Sequence, residues 1–489
     1  MGTDRNLLSA GQLVAALRAG EVTAVELAES AIERIAKHDG EINAICVRDF
    51  DRALDAARAA DAARARGEDG LLLGVPMTVK ESFNVAGLPT TWGFPQFADF
   101  TPAEDALAVA RLKAAGAVVL GKTNVPLALG DLQSYNDIYG TTANPWDLGR
   151  SPGGSSGGSA AALAAGFGAL SIGSDIGGSL RTPAHFCGVY AHKPTFRLVP
   201  ARGHTPPPAP PLTAEVDLGV IGPMARSAAD LGVLLDVLAE PDPLTLGAAY
   251  ELRLPPARHD RLGDFRVLVL ADHPDIATSA SVRAGLTRVA DALTGAGARV
   301  DHGSPVVPDL GESARLYLRL LFSIFGASYP AEIYERFGAL AASLDPADDS
   351  LVAARVRGAR LSHRDWFAAD LAREGHRHAW RAVFAEYDAV VCPVSPTPAF
   401  PQDQSPHQDR RTITIDGTGH PYGDQLVWAG LATLPGLPAT VIPTGPDAAG
   451  LPVGVQLIGP MYGDRTTLRL AELLEAELGG FTAPDLDGR

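Results

Sequence analysis

The stretch SPGGSSGGSAAALAAGFGALSIGSDIGGSLRTPA (residues 151–184) passes from a Gly/Ser run into an Ala-rich helical segment, then into the apolar run Ala169–Ser174. It ends on a glycine pair, Ser179 and a second series that can start a helix. Helical segments that lead directly into short buried-strand patterns indicate layered α/β structure. Taken alone, GGSSGGS reads as a flexible spacer. Its context argues otherwise, because it follows the ordered-looking turn TTANPWDL (141–148) and runs straight into helix. A phosphate-cradling loop is the other reading of such glycines, but no Lys-Ser or Lys-Thr pair follows them as that motif requires.

The same alternation extends in both directions. Short apolar runs ending in Gly or polar clusters predict strands at Val75–Lys80, Ala117–Gly121, Val267–Leu270, Ala389–Cys392, Ala439–Pro443 and Val453–Gly459. Helices are expected at Pro102–Ala115, before AVVLG, and at Ser279–Thr294, before ARVDH. Upstream, Thr23 and Glu26 form a capping-box pattern, and Val25, Leu27, Ala28, Ala31, Ile32 and Ile35 supply the apolar face of a helix; a second, Ala/Arg-rich helix spans about 49–65. ARGHTPPPAPP (201–211) is neither helix nor central strand, since its prolines lack donors and fix φ, and it reads as a surface loop or lid. Residues 395–422 read as another long loop, and 305–380 as a helical insertion forming a wall over a site. No linker or internal repeat is evident. The expected architecture is therefore one α/β domain over 1–489: N-terminal helices (1–66), a central core (70–230), the insertion, and C-terminal strands and a helix (385–480) completing a large mixed, twisted sheet covered by helices on both faces.

At 489 residues, 46% of them hydrophobic, the chain can bury a large core without staples. Cys46, Cys187 and Cys392 lie far apart in no metal-ligand or disulfide pattern and read as small core residues. Lys plus Arg number 41 against 57 Asp plus Glu, a net charge of −16 that opposes adhesion to nucleic acid or anionic membrane. No signal-peptide pattern or membrane-length apolar run is found, so a cytoplasmic monomer or homodimer acting on a small molecule is expected, with no metal or other cofactor.

Ser179, in DIGGSLRTP, lies just past an apolar run, where a sharp turn would present its hydroxyl. The preceding glycines allow close approach of a substrate, and the amides of Ile176, Gly177, Gly178 and Ser179 could point into one hollow as an oxyanion hole. The segment is equally readable as an ordinary strand-to-helix turn. A His held by an acid is the usual activator of such a serine, yet none of the twelve histidines lies in a recurring motif, and His185 and His192 stand too near in sequence. Lys80 ends a strand-like run with few cations around it; burial there would lower its pKa toward neutrality and make it a base. A solvated lysine at a strand end is the alternative.

Several segments in order then resemble the amidase signature family of serine hydrolases: GVPMTVKESFNVAG (74–87), GKTNVP (121–126), NPWDLGRSPGGSSGGSAAALAAG, SIGSDIGGSLRTPA, LPATVIPTG and GLPVGVQLIGP. The resemblance covers most of the chain. It implies an amide hydrolase with Ser179 as nucleophile, Ser155 following a cis peptide after Gly154, and Lys80 as terminal base. It further implies an acyl-enzyme intermediate, an oxyanion hole at Ile176–Ser179, a substrate-cavity position at Leu129 shared with Ser155, and supporting roles for Ser156 and an Asp175–Arg181 pair. Esters or carbamates would be cleaved by the same chemistry. This sequence departs from the common pattern at His185, at Tyr190–His192 and at Ser174, where Thr is frequent and either hydroxyl can bond locally. LGDLQSYNDIYGTT (129–142) lacks the form associated with amidotransferase glutaminases, which favours a free-standing enzyme over the glutaminase component of such a complex. The reading from another class is a non-catalytic anion-binding module.

Overall fold

The computed structural model describes residues 4–212 and 215–488. Its strands in chain order are β1 Ile45–Arg48, β2 Pro76–Lys80, β3 Val118–Thr123, β4 Tyr135–Asn136, β5 Gly140–Thr141, β6 Leu170–Asp175, β7 Tyr190–Lys193 and β8 Val220–Ala225. They continue with β9 Arg266–Val269, β10 Arg299–His302, β11 Ala389–Pro393, β12 Thr412–Ile415, β13 Thr418–Pro421, β14 Ala439–Pro446 and β15 Pro452–Ile458. Eleven of them form one sheet in the order β1-β3-β2-β6-β8-β7-β14-β15-β11-β9-β10. The sheet is mixed: β2 runs parallel to both β3 and β6, whereas β6–β8, β7–β14 and β14–β15 are antiparallel. Every residue of β2, β3, β6, β8, β11 and β15 is buried, which is why these segments, except β8 with its Gly222–Pro223 interruption, read as continuous apolar runs and not as alternating patterns.

Every expected strand and helix forms, with one boundary moved. The helix expected from Pro102 starts only at Leu107. Ala86 N–H is held by Asp105 Oδ1 at 2.8 Å and Ala106 N–H by the Asn84 carbonyl at 2.8 Å, so the intervening backbone bonds to a neighbouring loop instead of to itself. The Thr23/Glu26 capping box is present at the head of the helix Ala24–Ile42. Three strands of the large sheet, β1, β7 and β8, went unread, as did the short pairs β4–β5 and β12–β13. β1 and β7 have only four residues each, and a buried Lys and His in β7 hide its pattern. The long loop expected over 395–422 carries the β12–β13 hairpin. Cys187 and Cys392 are buried, but Cys46 is only partly so, its Sγ resting 3.4 Å from the Lys122 carbonyl on edge strand β1. The 305–380 region is helical, with Leu310–Ser328 as its innermost helix. No helix among the described residues is long and apolar enough to cross a membrane.

Candidate active site

The Gly/Ser run is not a spacer. Residues 151–165 are buried throughout, and its glycines stand where backbones nearly touch. A Cβ on Gly154 would lie 2.5 Å from the Asp131 carbonyl oxygen, and one on Gly158 would lie 2.5 Å from the Asn124 nitrogen. Only glycine allows the loop to lie this close to the 124–134 segment. The Gly154–Ser155 peptide is cis, and the helix Gly157–Ala164 follows.

Lys80, at the end of β2, is completely buried, with its Nζ 2.7 Å from Ser155 Oγ and 2.9 Å from Ser174 Oγ. Burial pushes its pKa down to about 7, against a smaller upward pull from Asp175, so near neutral pH the amine exists in both protonation states. Ser174 does more than bond locally. It is the second partner that fixes the lysine, because β2 and β6 are parallel neighbours and their C-terminal ends meet.

Ser179 follows β6 on a turn in which Gly178 has φ 95°, in the left-handed region that favours glycine. Among the described residues no hydrogen bond engages its Oγ. Its loop is tied to that of Ser155 through Ser156 N–H, which donates to the Ser179 carbonyl at 3.1 Å. Exposure rises along the set, from 0% at Lys80 to 1% at Ser155 and 5% at Ser179, as expected if the base is innermost and the nucleophile faces the entrance. The oxyanion hole needs one correction: Gly178 N–H already donates to Asp175 Oδ1 at 2.9 Å. Among the described residues the amides of Ile176, Gly177 and Ser179 carry no such bond.

Asp175 and Arg181 form the expected buried pair, with Nη2–Oδ1 at 2.9 Å and Nε–Oδ2 at 3.0 Å. Arg181 also donates to the Ala429 carbonyl, Gln456 Oε1 and Thr433 Oγ1. Burial alone would raise the Asp175 carboxyl, but the guanidinium outweighs it and holds the pKa at about 2. The carboxylate also accepts from Leu180 N–H, so the pair pins both ends of the nucleophile turn. From the 305–380 region, Tyr317 OH donates to the Ile176 carbonyl at 2.9 Å. Leu129 is half-buried on a short turn where it and Ala128 both have positive φ (57° and 54°). Ser156 Oγ is 3.4 Å from the Ser174 carbonyl.

Sequence reasoning missed His204. The Pro-rich segment brings it beside β2's exit, its Nε2 3.0 Å from Ser82 Oγ and its ring against Phe83 and Trp92. Burial, and then the charge of Lys80, lower its pKa to about 3, so it is neutral at physiological pH. His185 and His192 are structural: His185 Nδ1 accepts from Gly454 N–H, and His192 bonds Asp464 and Thr440. Among the described residues no group of three or more His, Cys, Asp or Glu could hold a metal.

The family model for Amidase matches residues 26–468. The chain belongs to the amidase family. It is 33% identical to the indoleacetamide hydrolase of Bradyrhizobium diazoefficiens, over 96% of this chain and 86% of that protein. It is also 33% identical to the A-type subunit of the glutamyl-tRNA(Gln) amidotransferase of Roseiflexus sp. (strain RS-1), over 96% of each chain. Among solved structures, a chain from a vestigial protein complex that reveals the evolutionary origins of an s-triazine catabolic enzyme, in inhibitor-bound form, superposes with a TM-score of 0.81 at 30% identity, covering 97% of this chain and 99% of that one. An amidase is an amide hydrolase, so the reading as a non-catalytic anion-binding module falls.

Proposed function

We propose that this amidase hydrolyses a small carboxamide through a Ser179 acyl-enzyme, with Ser155 and Lys80 relaying the proton. The observation that carries the reading is the buried contact of Lys80 Nζ with Ser155 Oγ at 2.7 Å, together with a lysine pKa near 7. Neutral Lys80 takes the Ser155 hydroxyl proton as Ser155 takes that of Ser179, and Ser179 Oγ attacks the carbonyl carbon. The oxyanion is received by the Ile176, Gly177 and Ser179 amides. The relay then runs in reverse and protonates the departing nitrogen, leaving the acyl-enzyme. Water repeats the cycle and releases the carboxylate. Esters and carbamates, whose leaving groups need less protonation, would pass through the same steps.

Similarity to an indoleacetamide hydrolase supports a primary carboxamide carrying an aromatic acyl group. Ammonia release from indole-3-acetamide and phenylacetamide tests this: turnover of either, lost in Ser179→Ala, is expected, and no turnover by folded protein would refute the substrate class. A second reading, the glutamine-hydrolysing component of a tRNA-dependent amidotransferase, is supported by the similarity to the Roseiflexus protein. It predicts glutamine turnover and stable co-purification of partner chains. The first reading predicts a monomer or homodimer, which native mass measurement distinguishes.

A further inference from the structure

A cavity of about 280 Å³ lies between the helix His363–Glu386 and the turns at Pro435–Leu437 and Pro460–Met461, and no triad residue lines it. Its floor is Trp380 stacked on Phe384, ring centroids 5.7 Å apart, both nearly fully buried. Its rim carries Arg258, Arg377 and Arg381, and no carboxylate lines it, although the chain has a net charge of −16. Two of the three cations have acidic partners: Arg258 pairs at 3.0 Å with Asp388, a carboxylate it shares with Arg266, and Arg377 pairs with Glu374. The Arg381 side chain has no ion-pair or hydrogen-bond partner among the described residues, so the rim carries at least one positive charge in excess.

We propose that this cavity binds a small monocarboxylate with an aromatic or apolar body. One unmatched guanidinium suits one carboxylate, which it can hold through paired N–H donors. Pro460 and Met461, accessible apolar side chains of the lining, suit an apolar group, and the volume falls near the lower end of about 300–1,000 Å³ at which small-molecule sites occur. A neutral amide of the same shape would lack the ionic contact. The ligand class follows from the cavity alone and does not depend on which amide the triad cleaves.

The test titrates phenylacetate into the full chain and follows tryptophan fluorescence, with 2-phenylethanol, which has no bond the triad could hydrolyse, as the neutral control and Arg381→Ala as the variant. The expected result is saturable quenching by phenylacetate, weakened roughly tenfold or more in Arg381→Ala and far weaker with 2-phenylethanol. The Arg381 side chain is exposed and bonds to no other residue described, so the variant keeps its fold and its hydrolytic rate. Affinity unchanged in Arg381→Ala would place the carboxylate elsewhere and overturn the proposal, as would the absence of saturable binding at millimolar phenylacetate.

Discussion

Acidification from pH 8 to pH 6 should lower kcat/KM about tenfold, and the fall should belong to Lys80. With a pKa of about 7, the amine is about 90% neutral at pH 8 and about 9% neutral at pH 6, and only the neutral form can accept the Ser155 proton. The slope is positive because protonation removes the base. An uncharged carboxamide is the right substrate, since it contributes no titration of its own. The nearby histidines do not confuse the window: His204 and His185 have pKa values lowered by burial to about 3 and 4. Buried Lys193, also depressed to about 7, donates to the Leu437 and Pro194 carbonyls and touches no triad member. Steady-state rates across pH 5.5–9 in wild type, Lys80→Ala and Lys193→Met decide the assignment. Lys80→Ala should lose most activity together with the acid limb, and Lys193→Met should keep the limb. A flat wild-type profile, or the same limb persisting in Lys80→Ala, would refute the reasoning.

Removing the Ser174 hydroxyl in Ser174→Ala takes away one of two Lys80 partners and should lower kcat and displace the acid limb, read in the same pH series. Arg181→Met leaves Asp175 buried without its cation and should cost about 3–5 kcal/mol in denaturant unfolding; a loss under about 1 kcal/mol would mean that the pair is not the clamp described. Gly154→Ala would drive a Cβ against the Asp131 carbonyl oxygen and should reduce both thermal stability and activity, whereas wild-type values for both would contradict the close approach. Lys80, Lys122 and Lys193 all have pKa values lowered from 10.5, to about 7, 8 and 7. Between about pH 7 and 8.5 the unfolded chain therefore binds more protons than the folded one, and Tm should rise with pH across that window.

The residues proposed to carry the site were legible because each is bound to a local pattern. Ser179 lies behind a glycine pair at a strand end, Lys80 ends an apolar run, and Ser155 sits in a Gly/Ser loop whose glycines are required by backbone contacts. The sheet was legible for the same reason, since strands buried on both faces give unbroken apolar runs. What remained hidden depends on contacts between distant segments. Ser174 gains its role only because β6 lies beside β2, and His204 arrives beside Lys80 on a proline-rich loop 124 positions away. Gly178 was assigned to the oxyanion hole because nothing in the sequence shows that the Asp175 carboxylate folds back onto its amide. β7 escaped notice because Lys193 and His192 are polar residues buried by partners as remote as Leu437 and Asp464.

Covalent labelling with a fluorophosphonate, followed by intact mass and peptide mapping of wild type, Ser179→Ala and Lys80→Ala, tests the central claim most directly. The account predicts a single adduct on Ser179 in wild type, none in Ser179→Ala, and much slower labelling in Lys80→Ala. An adduct on another residue, or labelling of Lys80→Ala at the wild-type rate, would contradict it.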